Sequence, residues 1–518
     1  MKRVLSFILA IATVMSAFIL IVDASNDADG QWVPENDRWD ALSRDGVKAR
    51  FAIGADIHFD YFNSARKNRY VYHALKQIGG VDAYLIAGDL THYASDSNYK
   101  DLMASVNTYT AKNRLNPDAT GDSVPMTVLA MGNHEGWYES DVDDPEAQFR
   151  KYVKQEPDDL YWIGGVPVIK LSPDAASDRK GASDGNCYDG SEDFLEGAYA
   201  EIDSAGYVGP IIIIAHHRTE VDGTSNDYWS KNAMRLMRAH PNTVIFTGHS
   251  HTWIGGIKQF VLQDAGFTHV RAGSLGNHYG GLGSGYINPS TGKTTHPLSV
   301  SGDSGCSFVL VDVMDDGNIK LRRIDLAKGE YMFEDEPVVI RPGVLTDYLY
   351  DDETAGWAES YGAGSIAPSF PEGGNVIAER VGDSTIRVSF PEAVAASSLS
   401  RDFVAEYRIR VSAVVMGEDG KVTYRPVMNG EREYFRVANY RAKADEGKDW
   451  SVTIRGLAWD TDYVVEVRAY NAYGKATAWT AAERETKRGA MRLPQVDDKP
   501  MSKIHYWQNE QNQRLLPG

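Results

Sequence analysis

Five short runs of apolar residues in the first half of the chain are each followed within three residues by Asp, Asn or His. The runs cover residues 51–55, 83–87, 126–130, 211–215 and 243–247. Continuous apolar runs of this length are typical of strands that are covered on both faces. Residues 68–78 and 227–239 have helical spacing and are predicted to form covering helices. The pattern predicts an α/β sandwich.

The polar residues that follow the five runs are of types that bind metal ions. They are Asp56, His58, Asp89, Asn133, His134, His216, His217, His249 and His251. Loops at the carboxyl ends of strands in open α/β sheets converge on one crevice, so we expect these side chains to lie close together. Carboxylate, amide and imidazole donors without thiolate suit Mn²⁺, Fe, Zn²⁺ or Ni²⁺. Each motif alone has an ordinary structural interpretation, but five in this order predict a metal site.

The number of candidate ligands favours two ions rather than one. A carboxylate such as Asp89 can bridge two cations with its two oxygens. Two cations about 3.5–4 Å apart can hold both sides of a phosphoryl displacement. The sequence therefore predicts two divalent or transition metal ions per chain.

The remaining segments differ from one another in composition. Residues 136–210 and 276–305 are rich in Gly, Ser, Asp and Tyr and are expected to be long surface loops. Two alternating runs, 307–313 and 319–324, predict a closing hairpin. We expect a catalytic domain over 25–343, a linker over 344–374, an antiparallel β-sandwich over 375–487 and a polar tail over 488–518.

The N-terminus has the features of an export signal. Lys2 and Arg3 precede a mostly apolar stretch over residues 4–22, and Val22 and Ala24 are suitably small residues for a cleavage site. Residues 1–24 are therefore predicted to be a signal peptide of a secreted protein, with no stable membrane insertion after cleavage. A retained N-terminal membrane anchor is the alternative, because the stretch is nearly long enough to span a bilayer at about 1.5 Å per residue.

Charge and cysteine content narrow the function classes. The net charge is −19, from 53 Lys plus Arg against 72 Asp plus Glu, which argues against nucleic-acid binding by a broad basic patch. The only cysteines, Cys187 and Cys306, are not in a zinc-binding pair, and either one disulfide or two thiols is compatible with the sequence. Nothing in the sequence specifies an oligomeric state.

The motifs at 54–58, 88–89, 132–135, 215–217 and 248–251 resemble those of the calcineurin-like metallophosphoesterase superfamily. This superfamily includes purple acid phosphatases and bacterial cyclic-nucleotide phosphodiesterases, and the resemblance covers about residues 48–330. It implies two β-sheets flanked by helices, with two metals at the strand ends. By the same resemblance, Asp56, His58 and His251 are ligands of the first metal, and Asp89 bridges to the second.

The resemblance implies that Asn133, His216 and His249 are ligands of the second metal. Arg218 stands where a Pro commonly follows His-His in the family, which leaves both His216 and His217 open as the ligand. We favour His216, because it comes first off the strand. Tyr93 is one place later than the tyrosine ligand of purple enzymes, so a purple ferric site is not expected.

The function implied by the resemblance is hydrolysis of a phosphate mono- or diester by a metal-bridging hydroxide. His134 corresponds to the histidine that meets the phosphoryl oxygen or leaving group, and it is the candidate general acid. The alternative function is a non-catalytic, metal-binding surface or adhesion protein.

The C-terminal sandwich resembles a fibronectin type III module. The segments 457–463 and 469–474 match that family's corner and following strand, although Phe390 stands where the family usually has Trp. A spacer or packing role is the simplest interpretation of this region.

Overall fold

The protein is described by a computed structural model that covers residues 39–492 with gaps. The gaps are 60–63, 137–142, 175–186, 220–227, 252–253, 256–259, 264, 277–285, 288–293, 296–305, 327–328, 333–336, 349, 352–355, 358–364, 383, 397–401, 428–432, 439–448, 459–460 and 483–490. The predicted signal peptide and the end of the predicted tail lie outside the described residues.

Six helices are described, and all of them lie in the N-terminal part. They are α1 (Ser64–Gln77), α2 (Asp96–Tyr109), α3 (Asn133–Gly136), α4 (Pro145–Val153), α5 (Glu192–Ser204) and α6 (Lys231–Ala239). Three helices begin at side-chain caps: Ser95 accepts from the N–H of Asn98 before α2, Asp144 from that of Ala147 before α4, and Ser230 from that of Ala233 before α6.

The strands of the N-terminal part form two sheets and two small hairpins. They are β1 (Val47–Gly54), β2 (Ala83–Ala87), β3 (Thr127–Ala130), β4 (Asp159–Ile163), β5 (Val166–Lys170), β6 (Ile211–Ile214), β7 (Thr243–Thr247), β8 (Val261–Leu262), β9 (Thr268–Arg271), β10 (Tyr286–Ile287), β11 (Thr294–Thr295), β12 (Ser307–Met314), β13 (Ile319–Asp325), β14 (Glu330–Tyr331), β15 (Val338–Ile340), β16 (Tyr350–Asp351) and β17 (Gly356–Trp357).

The first sheet has the order β14-β13-β12-β1-β2-β3, and β15 also pairs with β13. Strands β1, β2 and β3 are parallel to one another, whereas β12 runs antiparallel to β1. The hairpin of β12 and β13 closes this sheet as the alternating pattern predicts. Its outer face packs on α1, α2 and α4 in a buried cluster that includes Val71, Leu102 and Phe149.

The second sheet has the order β4-β5-β6-β7-β9-β8, and its four central strands are parallel. Helices α5 and α6 cover its outer face with residues such as Leu195 and Met237. The inner faces of the two sheets share one buried core, to which β1 contributes Phe51 and β6 and β7 contribute Ile212 and Phe246. The predicted sandwich of two sheets flanked by helices is confirmed.

The expectation of a long surface loop over residues 136–210 is wrong. This stretch contains α4, β4, β5 and α5, and all five residues of β5 are buried. The local composition is misleading, because the apolar residues of β5 are few and are flanked by Gly, Pro and charged residues. In the other expected loop, 276–305, the described residues form the small pair β10 and β11.

The C-terminal region is all-β, as predicted. Its strands are β18 (Ile377–Gly382), β19 (Thr385–Phe390), β20 (Val404–Met416), β21 (Val422–Pro426), β22 (Phe435–Ala438), β23 (Trp450–Ile454), β24 (Asp462–Asn471), β25 (Thr480–Ala481) and β26 (Met491–Arg492). One sheet has the order β18-β19-β23, and the other contains β21-β20-β24-β25. Their facing side chains, among them Phe390, Tyr407 and Trp450, form one buried cluster. Its identity as a fibronectin type III module stays a prediction.

Two further features concern the cysteines and the apolar character of the helices. Cys187 and Cys306 are buried in different hydrophobic clusters, and no disulfide joins them. Among the described residues, no helix combines the length and apolar character needed to cross a membrane.

Candidate metal centre

Hydrogen bonds past the strand ends hold the motif-bearing loops side by side. The N–H of Asp56 donates to the carbonyl of Gly88 at 3.0 Å, and that of His58 donates to Asp89 at 3.0 Å. The parallel pairing of β1 and β2 thus continues into the polar residues. Across the sandwich, the N–H of His249 donates to both carboxylate oxygens of Asp56, at 2.9 and 3.0 Å, which ties the two sheets together at this edge.

Several of these polar residues have backbone angles that ordinary side chains rarely adopt. Asp56, His58, Asp89, His249 and His251 all have φ between 45° and 67°. Residues held at positive φ by surrounding structure cluster at functional sites, where the strain is offset elsewhere. The turns therefore aim these side chains at one another rather than along the strands.

The first cluster consists of Asp56, His58, Asp89 and His251, all of them buried. The Nε2 atoms of His58 and His251 are 3.0 Å apart. His251 Nε2 is 3.3 Å from Asp56 Oδ1, and His58 Nε2 is 3.5 Å from Asp89 Oδ2. Atoms bound to one cation at about 2.0–2.2 Å lie roughly 3–3.5 Å apart, so this donor set fits a metal ion.

The second cluster is formed by Asn133, His216 and His249 beside the same Asp89 oxygen. His216 Nε2 is 2.8 Å from Asn133 Oδ1 and 3.2 Å from Asp89 Oδ2. His249 Nδ1 is 3.0 Å from Asn133 Oδ1. Asp89 Oδ2 therefore faces both clusters, and together they are suited to two metal ions.

The contacts of the His-His turn distinguish its two imidazoles. His216 Nδ1 donates to the carbonyl of Ala87 at 3.0 Å, which leaves Nε2 directed at Asn133. Tyr188 Oη accepts the main-chain N–H groups of His216 and His217, at 3.0 and 3.1 Å, and lies 3.3 Å from His217 Nδ1. Since both acceptor sites of this hydroxyl are used, its hydrogen points at His217 Nδ1. This geometry favours His216 as the candidate ligand.

His134 lies at the edge of the first cluster. Its Nδ1–H donates to the carbonyl of His92 at 2.9 Å, and its main-chain N–H donates to Asp89 Oδ1 at 3.0 Å. Its Nε2 is 3.9 Å from Asp89 Oδ2, and its side chain is 11% exposed. The His134 imidazole is thus partly accessible to solvent, whereas the carboxylate of Asp89 beside it is buried.

The pKa shifts reflect carboxylates and imidazoles packed away from water. Burial raises the pKa of Asp56 and lowers that of His58 well away from their usual ranges. Burial acts to raise the pKa of Asp89 as well, but His216 and His134 hold it well below its usual range. Burial lowers the pKa of His216, but Asp89 and Asp56 raise it to about 9. The carboxylates thus favour positive charge at this site, as a bound cation would supply.

Four residues contribute to the site although the sequence motifs assign them no function. Glu135 is buried and accepts from the main-chain N–H groups of Gly132 and Thr91, at 2.7 and 2.8 Å, so it joins two loops. Tyr188 contacts His217, and Tyr228 contacts His217 and His249, from two segments that no local pattern marks. His92 lies 3.2 Å from His58, Nδ1 to Nδ1, and its place three residues after Asp89 was the one available signal.

A family model of calcineurin-like phosphoesterases matches residues 49–253. No curated protein matches the sequence of the chain. Among solved structures, a purple acid phosphatase isolated from yellow lupin (Lupinus luteus) seeds is 15% identical, with a TM-score of 0.37, over 55% of this chain and 52% of that one. The chain therefore spans about half the length of the lupin protein.

Two more solved structures are similar to the chain. PhoD is 11% identical, with a TM-score of 0.32, over 56% of this chain and 68% of that one. A hypothetical protein from Pyrococcus horikoshii OT3 is 12% identical, with a TM-score of 0.27, over 53% of this chain and 87% of that one. All residues of the two candidate metal clusters lie inside the bounds of the family match, so residues 49–253 are similar to calcineurin-like phosphoesterases over the whole of the candidate site.

Proposed function

We propose that the chain is a secreted phosphoesterase that hydrolyses phosphate mono- or diesters with two divalent or transition metal ions. The observation that carries this proposal is the position of Asp89 Oδ2, which is 3.5 Å from His58 Nε2 and 3.2 Å from His216 Nε2. A single carboxylate between two sets of imidazoles is suited to bridging two cations. Residues 25–343 are proposed as the catalytic domain, and secretion rests on the export signal in residues 1–24.

The proposed ligands divide into two sets around this bridge. Asp56, His58 and His251 would hold the first ion, and Asn133, His216 and His249 would hold the second. Two bound cations supply a nucleophile at neutral pH and neutralise the charge of a phosphate group. The net charge of the chain is −19, so the cations would also provide the positive field that an anionic ester needs.

The contribution of His134 follows from its two nitrogens. Nδ1–H is used by the carbonyl of His92, so Nε2 is the atom that faces the space beside Asp89. When protonated there, it can donate to a phosphoryl oxygen or pass its proton to a departing alkoxide. His134 is therefore proposed as the general acid rather than as a metal ligand.

The test is hydrolysis of aryl phosphate mono- and diesters by metal-loaded protein, with the metal content measured on the same sample. We expect two ions per chain and turnover on at least one ester class. Asp89→Asn should lower the occupancy of both ions, because a neutral amide bridges two cations poorly. A loaded wild-type protein without turnover on either class would favour the non-catalytic alternative.

A further inference from the structure

His92 presents its imidazole to one of the proposed metal ligands. Its Nδ1 is 3.2 Å from His58 Nδ1, and the two rings are 5.3 Å apart at 61°. The residue is only 6% exposed, so bulk water does not compete strongly for this contact. The contact uses Nδ1 of His58, whereas its Nε2 faces the first cluster.

The other ring nitrogen of His58 determines which way this hydrogen bond runs. His58 Nε2 is 3.0 Å from His251 Nε2 and 3.5 Å from Asp89 Oδ2, inside the first cluster. A ligating imidazole must offer the lone pair of Nε2, so its hydrogen is on Nδ1. His58 Nδ1–H then donates to His92 Nδ1, which serves as the acceptor.

The loop that carries His92 is held independently of this contact. Both the N–H and the hydroxyl of Thr91 donate to Glu135 Oε1, at 2.8 and 3.0 Å. The N–H of Ala94 donates to Thr91 Oγ1 at 3.0 Å. The main chain next to His92 is therefore held by contacts that do not involve its imidazole.

The main chain and side chain of His92 have separate partners. Its carbonyl accepts from His134 Nδ1 at 2.9 Å, whereas its imidazole contacts His58. A substitution at His92 keeps the carbonyl and removes only the side-chain contact. The two effects can thus be separated by experiment.

We propose that His92 is a positioning residue of the first metal site, whose imidazole orients His58 and keeps its Nε2 available for the ion. Outer partners of this kind fix the tautomer and ring orientation of a ligating histidine, and their loss typically lowers metal affinity about 10–100-fold. This inference rests on the proposed function, because it requires that His58 is a ligand.

The test compares His92→Phe with His92→Asn by titrating Zn²⁺ alone into metal-depleted protein in competition with a chromophoric chelator. Phe preserves an aromatic ring of similar size without an acceptor, whereas Asn places an oxygen close to the position of Nδ1. We expect His92→Phe to weaken one of the two ions by about 10–100-fold, and His92→Asn to restore most of that affinity. His73→Phe is the matched control, because His73 is an exposed residue of α1 and is not one of the proposed ligands.

A second readout separates positioning from general destabilisation. At saturating Zn²⁺, His92→Phe should recover its turnover with the wild-type dependence on leaving group, because His134 keeps its carbonyl partner. The inference is overturned if His92→Phe binds both ions as wild type does, or if His92→Asn is as weak as His92→Phe. A wild-type protein that binds none of Zn²⁺, Mn²⁺, Fe²⁺ and Ni²⁺ would instead overturn the proposed function, and this inference with it.

Discussion

At the scale of single residues, His134 is oriented by a main-chain carbonyl and a carboxylate of the loop that follows β2. The carbonyl of His92 fixes its Nδ1–H, and the carboxylate of Asp89 accepts its main-chain N–H. The second contact does not depend on the imidazole. Removal of the ring should therefore leave the backbone of the site in place.

We expect His134→Ala to retain both metal ions and to lose about 10²–10⁴ in turnover, the usual contribution of a general acid. The loss should be smaller for esters whose leaving group is already stable as an anion. The measurement is metal content together with turnover on a series of leaving groups. Loss of one ion would mean that His134 is a ligand, and a uniform loss across the series would exclude proton donation to the leaving group.

Lys170 is a second residue with an unusual environment, at the buried end of β5. Its Nζ donates to Gln155 Oε1 at 3.3 Å and lies 5.5 Å and 5.6 Å from the ring centroids of Phe149 and Tyr161. Burial lowers the pKa of Lys170 from 10.5 to about 7. The ring faces offset only part of the desolvation of the ammonium group.

The lowered pKa of Lys170 gives a stability effect with a definite sign. Between pH 10.5 and about 7 the unfolded chain binds a proton at this lysine that the folded protein does not, so stability falls as the pH falls. Lys170→Met should remove this dependence and be more stable than wild type at pH 7 by on the order of a few kcal/mol. Near pH 10.5 the two should differ little.

Urea unfolding at pH 7 and at pH 10 measures this difference. Lys76→Met is the control, because Lys76 is 58% exposed and its ion pair with Asp122 lies at the surface. An equal difference between Lys170→Met and wild type at both pH values would contradict the assignment of a lowered pKa.

At the scale of elements, the strand-end turns are packed so closely that glycine is required. A Cβ on Gly132 would lie 2.2 Å from both the main-chain N and Oδ1 of Asp89. Gly88 has a φ of 85°, and a Cβ placed on it would lie 2.5 Å from His216 Nδ1. The loops after β2, β3 and β6 therefore contact one another directly, and one added methyl group must move a proposed ligand.

We expect Gly132→Ala to lower metal affinity and turnover together, because it displaces the proposed bridging carboxylate. Gly197→Ala is the matched control, since no atom lies within 4 Å of its Cβ position in α5. Alanine is favoured over glycine inside a helix by roughly 0.5–1 kcal/mol, so the control should be slightly stabilised. Metal titration and thermal unfolding of both variants test this, and a Gly132→Ala protein with normal affinity would contradict the packing argument.

At the scale of the whole molecule, the C-terminal region is connected to the N-terminal sandwich by more than the chain. Ala472 and Tyr473 belong to the same buried cluster as β1 and β7. Gln263 is 2% exposed, and its Oε1 accepts the N–H groups of Asp347 and Tyr348, both at 3.1 Å. The first residues after 343 thus pack on the catalytic part.

Two truncations separate the site from this packing. Residues 25–343 and 25–348 should both bind two ions and hydrolyse esters, because all of the proposed ligands lie before residue 344. The shorter chain should be less stable by about 1–3 kcal/mol, since buried Gln263 loses three hydrogen-bond partners, Val344, Asp347 and Tyr348. Metal content, turnover and denaturant unfolding of the two proteins are the measurements. Inactivity of both loaded proteins would indicate that the C-terminal region completes the site.

Local patterns were enough to predict the five strands that carry the metal-binding motifs and the positions of those motifs after them. β2 and β7 have the predicted bounds, and β1 differs mainly because it begins at Val47, before the buried Arg50 that pairs with Asp312 at 2.5 Å. A charged residue interrupts the apolar pattern by which a strand is predicted. Only the structure shows that the partner of Arg50, Asp312, allows it to be buried. The elements missed in 136–210 were hidden for a similar reason, since their burial depends on neighbouring strands rather than on composition.

Only the tertiary structure decided which atoms of the candidate site meet. His249 and Asp56 are 193 residues apart in the chain and are in hydrogen-bond contact, and nothing local to either motif specifies that distance. No local pattern specifies the contact of Tyr188 with His217, which distinguishes His217 from His216, or the contact of His92 with His58. Strand periodicity is a property of neighbours in sequence, whereas a metal site depends on the register of two sheets and the turns at their ends. The residue types at this site could therefore be predicted from the sequence, but the contacts that orient them required the fold.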